Sequence, residues 1–321
     1  MSDKKRLIII DANSVIHRAY HALPPLTTKK GELVNAIYGF LLVFLKAVKE
    51  FDPDFIAACF DFPAPSFRAK IFKEYKVKRP PAPKELYQQI PKVKEIMRAF
   101  NVAVFEKEGF EADDLIGTLS RKFGQKQIVP EAETIILSGD LDTLQLVDKK
   151  TKVYFLRKGV RDTILYDEKQ VQEKYGFSPS GLVDYKALWG DPSDNIPGVA
   201  GVGEKTAGKL IREFRSVKNL YQEIEKGEGR KIPPKLKDLL LCSREQVSFC
   251  RRLAEIKKDV PLDFHFDEQS WRVYNKEKAA QILRGFEFHS LIERLPQDKI
   301  EKSSKNGKIK KEKANQQLLF F

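Results

Sequence analysis

Apolar and polar positions in the first half of the chain repeat as short apolar runs separated by longer, helically spaced stretches. Residues 7–10, 55–60, 102–105 and 134–137 are short, mainly apolar runs. Runs of this length between helical patterns read as strands buried on both faces of a parallel sheet. Leu33, Ile37, Phe40, Leu41, Phe44, Leu45 and Val48 keep a helical period and predict a covering helix over 33–50. Residues 17–21 fit a loop or a short helix, and 153–156 with 163–166 predict a small β pair. Helices dominate afterwards. One runs through Leu210, Ile211 and Phe214, and long ones are predicted over 234–256 and 277–294. Alternating strands and helices followed by helices alone define an α/β protein with a helical second part.

The apolar runs end on acids. Asp11 closes the first, Asp61 the second, and Asp140 with Asp142 follows the 134–137 run. A further acidic group, Glu111-Ala112-Asp113-Asp114, stands between Gly109 and the helical pattern of Leu115, Ile116 and Leu119, which marks a helix start. Helix N-termini favour negative charge, so capping alone accounts for part of this group. In an open α/β sheet, however, the ligand crevice lies beyond the carboxyl ends of the strands. The strand-end acids would meet the Glu111 helix there, in one acidic pocket.

Overall charge sharpens this picture. Lys and Arg number 58 against 45 Asp and Glu, a net charge of +13. A basic protein with an acidic pocket points to a polyanionic partner across its surface and metal ions in the pocket. Cys59, Cys242 and Cys250 have no paired spacing, so neither disulfides nor a thiolate metal site is expected. The polar start is not a signal peptide and no run reaches the ~18 apolar residues of a membrane span. These features predict a cytoplasmic, nucleoid-associated protein with no membrane partner.

Two segments have the chemistry of nucleic-acid contact. In residues 62–91, Arg68, Lys70, Lys73, Lys76, Lys78 and Arg79 are interleaved with Phe67, Phe72 and Tyr75, and Pro80-Pro81-Ala82-Pro83 interrupts any helix. Cations meeting phosphates with rings stacking on bases suit single strands. The second segment, Gly198-Val199-Ala200-Gly201-Val202-Gly203-Glu204-Lys205-Thr206-Ala207, opens an amphipathic helix. Glycines allow close backbone approach, and free N–H groups at a helix start bind phosphate. Its Gly-Val-Gly-Glu-Lys-Thr-Ala form resembles the helix–hairpin–helix class, while Walker spacing is absent. His17 and His21, four residues apart, lack further His or Cys partners for zinc and fit packing or phosphate contact.

With Asp191 and Asp194 from the turn before the glycine segment, nine acids are candidates for one pocket: Asp11, Asp61, Glu111, Asp113, Asp114, Asp140, Asp142, Asp191 and Asp194. Two carboxylates about 4 Å apart repel by about 4 kcal/mol at an effective dielectric near 20. Such a pocket needs protons or cations. All-oxygen ligands select Mg²⁺ or Mn²⁺, and two such ions suit phosphodiester hydrolysis.

The ordered motifs resemble the 5′→3′ exonuclease domain of bacterial DNA polymerase I, within the flap endonuclease superfamily. They are Ile-Asp-Ala-Asn at 10–13, Phe-Asp at 60–61, Ser-Phe-Arg at 66–68, Tyr-Lys-x-x-Arg at 75–79, Glu-Ala-Asp-Asp at 111–114, Gly-Asp-x-Asp at 139–142, Gly-Asp-x-x-Asp-Asn-Ile-Pro-Gly at 190–198, and Gly-Val-Gly-Glu-Lys-Thr-Ala at 201–207. The resemblance spans about 6–295. It implies a PIN-like α/β core with a parallel-rich sheet over 1–180, including a helical arch at 62–91. It also implies a helix–three-turn–helix DNA-binding part over 181–296 that lends Asp191 and Asp194 to the metal site. By position, Asp11, Asp61, Glu111, Asp113 and Asp140 resemble one metal set. Asp142, Asp191 and Asp194 resemble the other, with Asp113 shared and Asp114 acting through water. Lys76 and Arg79 would be catalytic, steering the scissile phosphate, and Tyr75 would stack. Arg18, Tyr20, Arg68, Gly198, Gly201, Gly203, Lys205 and Thr206 would contact DNA, with K⁺ a further candidate at the 198–203 turn.

The implied substrates are branched, flapped or nicked duplex DNA and RNA–DNA primers. The absence of a polymerase region in this sequence makes it resemble a stand-alone nuclease. Three other readings compete: a scaffold of the same fold without turnover, a PIN-type ribonuclease, and a phosphatase using Asp140 and Asp142. No acid is missing, the chain is long, and the basic surface suits a large substrate, all of which favour the nuclease. Beyond residue 296 the chain is lysine-rich, as in disordered tails. It closes on Gln316, Leu319 and Phe321, a pattern resembling the peptides that dock bacterial replication proteins on the sliding clamp.

Overall fold

The computed structural model describes residues 5–125, 132–227, 232–264, 271 and 274–296. The clamp-peptide pattern of 316–321 lies outside the described residues. Strands β1 (Arg6–Asp11), β2 (Phe55–Cys59), β3 (Ala103–Phe105), β4 (Glu133–Ser138), β5 (Thr151–Lys158) and β6 (Asp162–Tyr166) form one sheet in the order β3-β2-β1-β4-β5-β6. Every neighbouring pair is parallel except β5 with β6. The predicted β pair is therefore the far edge of the central sheet, joined through β4.

The first helices are α1 (Ala12–Ala22), α2 (Asn35–Phe51), the short α3 (Phe67–Ile71) and α4 (Lys84–Tyr87), then α5 (Ile90–Ala99) and α6 (Ala112–Gln125). The helical part holds α7 (Glu168–Tyr175), α8 (Gly181–Trp189), α9 (Glu204–Phe214), α10 (Val217–Glu225), α11 (Pro234–Cys242) and α12 (Arg244–Ala254). Among the described residues the last helices are α13 (Lys276–Gly285) and α14 (His289–Ile292). Residues 17–21 belong to α1, whose first turn is capped by Asp11 accepting from the Ser14 N–H.

Strand alternation splits the core in two. Ile8 and Ile10 of β1, Ile56 and Ala58 of β2, and Ile135 and Leu137 of β4 pack with α1, α2 and α5. Leu7, Ile9, Ala57, Cys59 and Ile136 face α6 and the helical part. Both faces are covered, which is why these strands read as continuous apolar runs.

From β1 the chain builds β2 and β3 to one side, then crosses to β4, β5 and β6 on the other. The reversal lies between β1 and β4, and a crevice opens beyond their carboxyl ends.

Three expectations changed. The helix over 234–256 is two, because the Leu240 carbonyl accepts from the Tyr221 hydroxyl at 2.9 Å and from the Ser243 N–H, closing α11. The helix over 277–294 breaks after Gly285, where Glu287 adopts φ 60°. Trp271 and residues 274–296, expected with the helical part, return to the opposite face. Trp271 packs edge-on to Phe44 and Tyr274 stacks on Phe100, covering the apolar side of α2 and α5.

Residues 62–89 contain only the two short helices α3 and α4, with turns between, and α5 begins at Ile90. The segment is nailed down at its start by Arg68, which is 3% exposed. Its guanidinium bonds both oxygens of Asp114 at 2.8 Å and the carbonyls of Leu253 and Glu255. Asp114, fully buried, also accepts from the backbone N–H groups of Glu111 and Lys257. This corrects two expectations. Arg68 is not presented to nucleic acid, and Asp114 has no oxygen facing the pocket to act through water. The pair instead ties α3, α6 and the end of α12 together.

Removing one partner of a buried pair strands the other charge. Arg68→Ala should lower the unfolding free energy in urea by roughly 3–5 kcal/mol, whereas Lys70→Ala, at an exposed position, should change it little. A small, equal effect of the two would contradict this role.

Candidate metal centre and nucleic-acid interface

The topology delivers acids to the crevice from several strand ends. Asp11 is the last residue of β1; Oδ2 accepts from Ser138 Oγ at 2.6 Å, at the end of β4. Asp61, just past β2, accepts the Ala112 N–H at 2.8 Å and so caps α6. Its own N–H donates to Asn13. Asp140 follows β4 and accepts the Asp142 N–H at 2.9 Å. Asp113 projects from the first turn of α6. These four line a cavity of about 420 Å³ whose wall also carries Lys76, Arg79 and Glu111.

The charges are felt. Burial, then the charges of Asp140 and Asp61, pushes Asp11 up to about 7. Burial, then Asp11 and Asp140, lifts Asp113 well above the usual carboxylate range. Glu111 behaves oppositely: burial opposes ionisation, but Lys76 and Arg68 hold it down to about 2. Its carboxylate accepts from Ser66 Oγ at 2.7 Å and Lys76 Nζ at 2.7 Å.

A second group stands beside the first. Ligand oxygens of Asp142, Asp191 and Asp194 lie within 4.8 Å of one another. The 191–196 turn that supplies two of them is closed by paired backbone hydrogen bonds between Asp191 and Ile196. An all-carboxylate donor set with Asp11 and Asp113 already driven toward protonation is deficient in positive charge, and it fits hard divalent cations.

The basic segment reaches both groups. Lys76 N–H donates to the Asp194 carbonyl at 2.9 Å, and Arg79 pairs with the Asp194 carboxylate. Tyr75 is 8% exposed, with its hydroxyl 3.1 Å from both Glu111 and Asp194. This corrects its expected stacking role, because the ring is packed inward and the hydroxyl is held between two acids. Lys76 has φ 58°, a left-handed turn that aims its side chain back at the acids.

Other expected contacts divide. Arg18 lines the cavity and donates to the Gly139 carbonyl, while Tyr20 packs on the core and is absent from that wall. His17 and His21, weighed for packing or phosphate, both line the cavity, with rings 6.4 Å apart. At the glycine turn, Gly201, Gly203 and Lys205 are exposed, Thr206 is half-buried, and a Cβ on Gly203 would meet nothing. The N-terminus of α9 is thus open to a phosphate chain. Gly198 is different. It is buried at φ 64°, where a Cβ would run into the Gly190 backbone, so its small size serves close packing of two turns and not DNA contact.

Sequence reasoning missed Lys186, whose Nζ bonds Asp142 and, at 2.6 Å, Asp191. Its only signal was a lysine one helical turn before the Gly190-Asp191 motif. Ser138 and Asn13 were also missed, although each adjoins a strand-end acid in sequence or space.

Known proteins resemble this chain throughout. A family model described as "5'-3' exonuclease, N-terminal resolvase-like domain" matches residues 6–176, and one described as "5'-3' exonuclease, C-terminal SAM fold" matches 177–278. DNA polymerase I of Bacillus subtilis is 38% identical over 301 residues, covering 94% of this chain and 33% of that protein. The thermostable DNA polymerase I of Thermus thermophilus is 37% identical over 289 residues, covering 90% and 33%. The chain spans about one third of the length of the curated relatives it matches. Among solved structures, T5 5′-exonuclease with bound zinc aligns with TM-score 0.64 at 19% identity, covering 87% of this chain and 99% of that one. The catalytic core of Rad2 with DNA substrate aligns with TM-score 0.52 at 16% identity, covering 88% and 87%. The fold is the PIN-like α/β fold with a parallel-rich central sheet. Among the described residues, no helix is long and apolar enough to cross a membrane.

A carboxylate whose folded pKa is raised loses stability for the fold as pH climbs from its unfolded value, about 4, through the folded value. For Asp11 that folded value is about 7, and Asp113 acts in the same direction. The depressed Glu111 contributes below this window, with the opposite sign. Asp142, raised to about 7 by burial, adds to this effect, while His17, lowered by burial, opposes it in part. In EDTA the melting temperature should therefore fall between pH 5 and pH 8, Mg²⁺ should shrink that fall, and Asp113→Asn should reduce it. A fall identical with and without Mg²⁺ would contradict the pocket's electrostatics.

Proposed function

The chain belongs to the 5′-3′ exonuclease family, and from that membership we propose that it hydrolyses phosphodiesters at the 5′ ends of branched DNA. The substrate class is 5′ flaps, nicks and RNA–DNA primers on chromosomal DNA. One observation carries this reading: acids from three strand ends, the α6 start and the 191–196 turn meet beside Lys76 and Arg79, in a protein of net charge +13. The T5 D15 flap endonuclease complexed with DNA and metal ions supports the same substrate class by its fold.

Asp11, Asp61, Glu111, Asp113 and Asp140 would hold one divalent ion and Asp142, Asp191 and Asp194 the other. Ions held there would supply an activated water and charge stabilisation at the leaving oxygen. Hard oxygen donors favour Mg²⁺ or Mn²⁺. The chain's own groups do the rest. Lys76 and Arg79 exchange Glu111 and Asp194 for oxygens of the scissile phosphate, placing cations where negative charge develops. His17, His21 and Arg18 flank the entering strand. The exposed N-terminus of α9, with Gly201, Gly203, Lys205 and Thr206, holds duplex backbone at a distance from the cut. K⁺ at the 198–203 turn would strengthen that grip. Residues 1–180 serve as nuclease core and the helical part as duplex clamp. A docking role for the 316–321 peptide on a sliding clamp belongs to the same proposal. Anisotropy of a labelled 310–321 peptide titrated with the clamp tests it, and absence of saturable binding removes it.

The catalytic reading is tested with labelled flap, nicked and RNA-primed duplexes. Asp113→Asn should lower single-turnover cleavage in Mg²⁺ by at least about a thousandfold, while flap binding in Ca²⁺ stays near that of the unsubstituted protein. Cleavage close to the unsubstituted rate would overturn it.

A further inference from the structure

The two acid groups differ in what neutralises them. In the first, Glu111 is ion-paired with Lys76 and Arg68, but Asp11 accepts from Ser14 and Ser138, Asp61 from Ala112, and Asp140 from the Asp142 N–H, all neutral donors. None of Asp11, Asp61, Asp113 and Asp140 is ion-paired among the described residues. In the second group every acid is paired: Lys186 bonds Asp142 Oδ1 and Asp191 Oδ2, and Arg79 bonds Asp194 Oδ1.

The oxygens involved matter. Asp191 Oδ1 is spent on the Ser193 N–H at 2.9 Å and the Ser193 hydroxyl at 2.7 Å. Oδ2 is the oxygen left for an ion, and it is the one Lys186 holds. The two cations also differ in freedom. The Arg79 side chain is 45% exposed and lies on the 62–91 segment, so an arriving phosphate can draw it away. The Lys186 side chain is 15% exposed and rises from α8, fixed against both acids. Nothing in a substrate needs to reach it.

We propose that Lys186 is a built-in competitor for the cation at Asp142, Asp191 and Asp194, so that the two groups take ions in order, the unpaired Asp11–Asp113–Asp140 group first. An ion enters the second group as the ammonium gives up Asp191 Oδ2 and Asp142 Oδ1. The lysine thereby sets the affinity of that group without touching substrate. This inference rests on reading the acids as two ion sets.

The experiment counts ions without turnover. Full-length protein is titrated with Mn²⁺, and free Mn²⁺ is followed by its electron paramagnetic resonance signal. Lys186→Met keeps the stem and removes the charge; it should tighten the weaker Mn²⁺ by about tenfold, since a competing cation is gone, and leave the tighter one unchanged. Lys186→Arg should stay near the unsubstituted value. Asp142→Asn should abolish the weaker ion in each background. Melting curves in EDTA verify folding, and Lys186→Gln replaces the Met variant if that one is unfolded. Unchanged or weakened second binding in the neutral variants overturns the proposal, because the lysine would then orient the two acids for the ion. If Asp142→Asn leaves both ions bound, the two-set reading itself fails, and the competition with it.

Discussion

Mutual repulsion among carboxylates at one edge of a parallel sheet is the constraint on which the rest of this structure depends. The order of strand addition reverses between the parallel strands β1 and β4, and Asp11, at the end of one, and Asp140, just past the end of the other, flank the reversal. Burial makes each charge more costly, which is why Asp11 is driven up to about 7. Neighbouring features offset that cost. Ser138 and Ser14 donate to Asp11, and the start of α6 donates to Asp61. Lys76, Arg79 and Lys186 are turned inward onto the acids.

The sheet's two cores give these charges their geometry. On one face α1 and α2 fix the strand ends from behind, and Trp271, Tyr274 and the α13–α14 residues seal that face. On the other, α6 sets Asp113 beside Asp11. The helical part is locked on through Arg68, Asp114 and the backbone after α12, which carries the 191–196 turn into place. Stability and function meet at this joint. The buried Arg68–Asp114 pair holds the base of the basic segment still, while its far end, at Lys76 and Arg79, lies across acids that a phosphate and ions would claim.

Much of this was legible in the sequence because it rests on local pattern. An apolar run that ends on Asp is both a strand and a strand end, so Asp11, Asp61 and Asp140 announced their shared edge before any strand order was known. What stayed hidden was long-range. Arg68 and Asp114 are 46 residues apart, and each taken alone looks like surface chemistry. Nothing local says that Tyr221 will take the Leu240 carbonyl and end a helix. Gly198 looked like its neighbours Gly201 and Gly203 until the fold brought Gly190 against it. Lys186 was hidden because its partners are set by tertiary packing, and a lysine near acids in sequence is usually a solvated ion pair.

The account stands on the acids forming two divalent-ion sets. The direct measurement is anomalous scattering from crystals grown with Mn²⁺ and a 5′-flap DNA. Two peaks are predicted, one among Asp11, Asp113 and Asp140 and one among Asp142, Asp191 and Asp194. A single peak away from both groups, or none at saturating Mn²⁺, would contradict it.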